Sequence, residues 1–458
     1  MSASLTRDFA ETLLGLAAAG LRPAAEAAAR DLLRDGLAVG ALGAREAAPQ
    51  LIAGQAREAG GQPAATLLAQ SVLTRVPAVA AARVNGAAMH VLDFEPMWNP
   101  ANHSLSTTLP AVLALAEARG IGGVLPALAL GIDAQARMRL ASGQFEPGQL
   151  LFHPPGMVGA IGSAAACALM LGLDAAGMTH AIGIAASRAG GLIANVGSMT
   201  KCLHCGDAAA AGLEAALLAE RGFTADADAI GGPRGWGRAF SGDRFDPAAL
   251  TAVTVDWHIL APGPAFKLYP SQYGTHFVIA AALDARQGWD GRSAIRQLEV
   301  TAPAMAYVDR PLPAGGLAGK FSFQYCAAVA VLDGAVNVGS FTDARRFAPD
   351  LAALLPRITI RPDATREGRF DRMRVEVAIT LEDGQVLEGR CDGPPGIWGR
   401  PVAPAILAGK WQDCLTAALG EAAAARVLAI SALSPLPVSG IMEATGLAIS
   451  AYECMQSP

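Results

Sequence analysis

A chain of 458 residues is longer than one simple core usually serves, so two domains are expected. Hydrophobic residues reach 52% and charged ones only 16%, with much of the apolar share in alanine; this favours closely packed helices and suggests surface buried against another subunit. The net charge of -5 leaves no electrostatic footprint for nucleic acid, so attraction for an anionic substrate has to come from a local basic cluster.

In chain order, Ser4 is placed to cap a first helix, and Arg7, Asp8 and Glu11 interrupt any apolar secretory run. A second helical stretch covers AAEAAARDLLRDGLAVGALG. LPAVLALAEARG predicts a helix with Pro110 in its first turn and Gly120 as its stop. Residues 154–173 carry no charge and have the length of a membrane span. Their Pro-Pro-Gly opening, their glycines and the lack of flanking Lys or Arg predict a buried helix instead, with no membrane partner. Asp174 caps the next helix, and Arg221-Gly222-Phe223 reads as a Schellman stop.

After about residue 268 the pattern changes. RQLEVTA (296–302), RITIRPD (357–363) and the runs MRVEVAITL and QVLEGRC, joined through Glu382-Asp383-Gly384, alternate like strands. A helix over FSFQYCAAVAVLDGAV lies between the first two strands, and helical character returns after PPGIWGRPVAP. The fold class expected is mainly α: an all-helical domain from both chain ends (1–266 and 402–458) with a smaller α+β domain inserted (267–401).

Only four of the 35 basic Lys and Arg residues are lysines, at 201, 267, 320 and 410. Lysine is a compact charge whose pKa responds to burial, so its retention in an arginine-writing chain marks Lys201 and Lys267, both in Gly/Pro-rich connections, as candidates. His90 and Asp93 are three apart and would share a helical face; Pro96 and Pro100 then break the chain into a loop carrying His103, suited to proton transfer near neutral pH. His153 precedes Pro-Pro-Gly at a helix start, where a carboxylate would be favoured. His180, in an apolar run, reads as a structural histidine; His204 and His276 carry no independent argument, and Tyr325 reads as an ordinary half-buried aromatic. The seven cysteines form no disulfide framework, and the lone Cys202-x-x-Cys205 lacks the second pair of a zinc site. P-loop, dinucleotide-binding and G-x-S-x-G signatures are missing. A reduced, cytoplasmic setting is expected.

Seven ordered blocks between about residues 80 and 330 resemble the MmgE/PrpD family: RVNGAAMHVLDFEPMWNPANHS, LPAVLALAEARG, FHPPGMVGAIGSAAA, AIGIAASRAGGL, MTKCLHCGDAAAAGLEAALLAERGFTA, FKLYPSQYGTH and FSFQYCAA. The resemblance implies that the α+β insert is a lid over an active site between the domains, and that the protein is a homodimer needing neither metal nor organic cofactor. By matching blocks it implies catalytic roles for Asp93, His103, His153, Lys201, Lys267 and the lid tyrosine Tyr325. The lysines and His153 would hold carboxylates of a small di- or tricarboxylic acid, and His103, tuned by Asp93, would move the proton.

That constellation serves a lyase, either dehydratase or decarboxylase. It also fits an epimerase acting at a carbon alpha to a carboxylate, and a non-catalytic binding protein that kept the fold is the reading from another class. Decarboxylase-like members of the family carry a threonine where Met97 stands, and dehydratase-like members a different pattern around the loop histidine. Met97 removes a hydroxyl and widens the apolar wall, which points to an acid with a less polar substituent.

Overall fold

The computed structural model describes residues 4–448, and its elements are mainly helical. Helix α1 (Leu5–Ala18) begins where Ser4 accepts the Arg7 N–H at 3.1 Å, and α2 (Pro23–Gly43) opens with proline in its first turn. There follow α3 (Ala47–Ala59), α4 (Ala78–Val91), α5 (Ser104–Arg119) and α6 (Val124–Ala141), then α7 (Pro154–Met170), α8 (Ala175–Ala186) and α9 (Thr200–Glu220). Asp174 caps α8 by accepting the Gly177 N–H, and α9 ends with Phe223 N–H on Leu218 O and left-handed Gly222, a Schellman stop.

One helix start differs from the sequence reading. Helix α5 begins at Ser104, which puts Pro110 inside it. The Ser/Thr stretch that reads as loop is buried, and neighbouring elements satisfy its polar groups. Thr107 and Thr108 hydroxyls face Gln135 of α6, Ser106 Oγ reaches Glu95, and Ser163 of α7 donates to Thr107 O.

Helix α9 is the one helix among the described residues long and apolar enough to cross a membrane, and it lies at the centre of the helical packing, between α4 and α7. Glycines permit the approach: a Cβ on Gly206 would stand 2.3 Å from Arg83 O of α4, and one on Gly212 would stand 2.6 Å from Ala160 O of α7. This close packing delivers the first turn of α9, with Lys201, to the end of α4. The uncharged α7 is buried within the same core.

The second part of the chain carries α10 (Tyr273–Arg286), β1 (Ile295–Ala302), α11 (Phe323–Asp333), β2 (Ile358–Pro362), β3 (Val375–Leu381) and β4 (Val386–Cys391). The sheet order is β2-β1-β3-β4, with β1 and β2 parallel and the other pairs antiparallel; α11 lies in the crossover between the parallel strands. The β3–β4 turn runs through Glu382-Asp383-Gly384, with Gly384 at φ +90. On β3 every second residue is buried, and the strand packs against α10.

The buried apolar side chains fall into two main clusters. One holds residues from Phe9 to Ile259 together with those of α12 (Pro404–Leu419), α13 (Glu421–Ser431) and α14 (Val438–Gly446). The other holds Ala265 to Ile397 and takes in Met97. Both ends of the described chain thus share one helical core.

Candidate active site

Helix α4 ends at Val91, two residues short of Asp93, so His90 and Asp93 do not share a helical face. Asp93 instead occupies a tight turn at φ +52, the left-handed region that L residues seldom adopt. Leaving the helix swings its carboxylate toward α9 and the segment before α10. Lys201 donates to Asp93 Oδ2 at 2.6 Å, and Lys267 forms an ion pair with Asp93 Oδ1 and reaches Asp93 O at 2.9 Å. Burial opposes charge on Asp93, but the Lys201 and Lys267 ammonium groups outweigh it and hold the carboxyl well below the usual range.

His90 lies between two partners. Its Nδ1 faces Glu95 at hydrogen-bonding distance and its Nε2 lies 2.8 Å from Lys201 Nζ. A neutral imidazole with its proton on Nδ1 satisfies both, donating to Glu95 and accepting from Lys201. Burial pushes its pKa down to about 3, in keeping with the neutral form. Burial also opposes charge on Glu95, and the imidazoles of His90 and His103 reverse that, holding it below the ordinary glutamate range.

His103 stands just before α5. Its Nε2 is 4.0 Å from Asp93 Oδ1, and its Nδ1 is 3.2 Å from Glu95 Oε1 but out of hydrogen-bonding alignment. Burial lowers its pKa, so the ring is ready to accept a proton at neutral pH. His153 precedes α7, with its ring 5.3 Å from that of His90 and 6.0 Å from that of His103. The start of α7 does not supply the anion site expected there. Pro154 and Pro155 have no N–H, and the Gly156 and Met157 N–H groups both bond His153 O. Any anion beside His153 would have to be held by side chains.

These groups face a narrow cleft, about 510 Å³ when counted out to its open mouth. Asp93, His103, His153 and Lys201 line one wall, while Gln272, Tyr273, Tyr307 and Phe370 from the second cluster's side line the other. Met97 forms part of its apolar surface. The Tyr273 hydroxyl is buried without a partner, and Tyr307 accepts from Gln272 Nε2 at 3.0 Å.

Five of the six residues singled out from sequence therefore meet. Asp93, His103, His153 and Lys201 line the cleft, and Lys267 lies behind Asp93. Tyr325 stands apart: it is fully buried in the second cluster, its ring is against Phe341, and its hydroxyl donates to Ser340 O at 2.6 Å. Tyr307 and Tyr273 occupy the place expected of it. Sequence reasoning also gave no role to Glu95 and none in the final set to His90; their spacing around Asp93 was the available signal.

His180 accepts the Ala225 N–H and serves structure, while His204 lies 3.3 Å from His153, Nδ1 to Nδ1. Cys202 and Cys205 are free buried thiols, pushed upward in pKa by burial. His90, His103 and His153 have ring nitrogens within 4.8 Å of one another, close enough to share an ion, as have ligand atoms of Asp93, Glu95 and His103. Both His90 nitrogens already face partners, however, and the Asp93 charge is matched by two ammonium groups, so the donor set fits lysine cations better than a metal.

The profile of the MmgE/PrpD N-terminal domain matches residues 7–248, and that of the MmgE/PrpD C-terminal domain matches residues 269–435. The chain belongs to the MmgE/PrpD family. Among its relatives, human cis-aconitate decarboxylase is 30% identical over 426 residues, covering 90% of this chain and 88% of that protein. Mouse cis-aconitate decarboxylase is 31% identical over 427 residues, covering 90% and 87%. MmgE/PrpD members of this kind are enzymes, and these two relatives carry out lyase chemistry.

Proposed function

We propose that this protein is a cytoplasmic, homodimeric lyase that acts on a small di- or tricarboxylic acid with its own histidines and lysines, without metal or organic cofactor. Decarboxylation is favoured over dehydration by the relatives' activity. The observation that carries the reading is the position of Lys201. Its ammonium lines the cleft while bound to Asp93 and His90, and the His103 ring stands across Asp93 from it.

In this reading Lys201 takes a substrate carboxylate by a charge-assisted hydrogen bond. When the bond to CO₂ breaks, its electron pair spreads onto the neighbouring carboxylate, where Lys201 and the cleft hydroxyls stabilise the developing charge. The His103 ring takes up a proton from solvent as the substrate's negative charge enters the cleft, and the imidazolium, held beside Asp93, then delivers that proton to the carbon that CO₂ leaves. The apolar wall at Met97 favours an acid with an apolar substituent there. The α+β part serves as a lid, because Gln272, Tyr273 and Tyr307 close the cleft from its side.

Release of CO₂ from a panel of unsaturated and saturated di- and tricarboxylic acids, measured with chelator-treated wild type and Lys201→Met, tests the proposal. Release by the wild type that is lost in the variant supports it. Interconversion of enantiomers without CO₂ or water loss would replace it with the epimerase reading.

A further inference from the structure

Three consecutive backbone carbonyls, those of Leu92, Asp93 and Phe94, each receive an ammonium group. Lys320 Nζ lies 2.8 Å from Leu92 O, Lys267 Nζ 2.9 Å from Asp93 O, and Lys410 Nζ 2.9 Å from Phe94 O. Lys201 takes the Asp93 carboxylate between them. These four are all the lysines of the chain, and all are buried. Lysine is almost never buried without a partner, so convergence of every lysine on one three-residue turn calls for a common cause.

The turn supplies one. Asp93 is held at φ +52, which costs a residue with a Cβ and persists only where the surroundings over-determine it. A compact ammonium with three donors fits a single carbonyl in a crowded site better than the planar fork of arginine. Lys320 and Lys410 approach from different parts of the fold. Lys320 precedes α11 and has the Phe341 ring at 5.5 Å, and Lys410 lies on α12 with Asp35 of α2 as its counter-charge at 2.8 Å.

We infer that Lys320 and Lys410 are positioning residues. By bonding the carbonyls on either side of Asp93 they fix where its carboxylate stands, and with it Lys201 at the cleft wall and Lys267 behind. Neither is among the residues that line the cleft, so each acts through the turn. The inference rests on reading the cleft as the active site.

The test uses Lys320→Met, which keeps chain length and apolar bulk and leaves no carboxylate orphaned. It also uses Lys410→Met combined with Asp35→Asn, which avoids leaving a buried charge unpaired. Steady-state kinetics on an acid the wild type turns over are paired with hydrogen exchange of the peptide spanning residues 90–97. The expected result is a fall in kcat of about 10-fold or more with KM changed less than about 3-fold, together with faster exchange confined to that peptide. Unchanged kcat in both variants, or unchanged exchange in residues 90–97, would overturn the inference. If the wild type turns over none of the acids, the functional proposal fails, and the exchange experiment alone still decides whether these lysines hold the turn.

Discussion

Lys267 holds Asp93 at two points, through an ion pair with its carboxylate and a 2.9 Å hydrogen bond to its backbone carbonyl. The double hold makes Asp93 both a structural and a chemical centre: it anchors a left-handed turn and balances the charge of two buried lysines.

Removing that carboxylate should therefore affect folding as well as activity. Asp93→Asn leaves Lys201 and Lys267 buried without their counter-charge, a change that typically costs about 3–5 kcal/mol. Urea unfolding should register a loss of that order, and adding Lys267→Met to Asp93→Asn should recover part of it while leaving the enzyme inactive. Equal stability of wild type and Asp93→Asn would mean the pair is not formed.

His276 predicts an acid sensitivity. It is fully buried, stacks on Tyr273 at 4.9 Å, and neither ring nitrogen has a hydrogen-bond partner. Burial lowers its pKa to about 3. The unfolded state, titrating near the ordinary value of about 6.5, then binds a proton that the folded state refuses. The stability from neutral His276 is complete above about pH 6.5 and falls by about 1.4 kcal/mol per pH unit on going down toward 3. Urea midpoints across that window should have a shallower pH slope in His276→Phe, with a residual slope from His90, His103 and His153.

Met97 is the expected specificity element. It is buried at the cleft wall and bridged to Ala265 by backbone hydrogen bonds. Met97→Thr should raise kcat/KM for acids with a polar substituent and lower it for those with an apolar one, shifting the ratio about 10-fold or more. An unchanged ratio would remove Met97 from the substrate wall.

The two tyrosines separate cleanly. Tyr307→Phe removes a hydroxyl from the cleft and should lower kcat/KM about 10-fold or more. Tyr325→Phe should leave kcat/KM within about 2-fold and cost about 1 kcal/mol of stability from the lost bond to Ser340 O. The reverse pattern would restore Tyr325 to the site.

What the sequence made legible follows from how local each signal was. Helix stops at Gly120 and Gly222, the caps at Ser4 and Asp174, and the Glu382-Asp383-Gly384 turn are set by neighbours within a few residues, and all stand as read. Lys201 and Lys267 stood out because the chain otherwise writes arginine. The purpose of Lys320 and Lys410 was invisible, because their partners lie 228 and 316 residues away along the chain. Pro110 misled because burial of its polar neighbours, a tertiary fact, extends α5 back to Ser104. Tyr325 misled because its block matches the family pattern while its ring points into the second core, and Tyr307, in an unremarked segment, reaches the cleft.

The most direct measurement is solvent-deuterium incorporation. Chelator-treated protein and its His103→Ala variant are incubated in D₂O with small di- and tricarboxylic acids, cis-aconitate among them, and followed by proton NMR. The account predicts a decarboxylated product from at least one acid, carrying a single deuterium at the carbon that receives the proton, and none from the variant. Product formation that survives in His103→Ala, or that disappears from the wild type with the chelator, would contradict it.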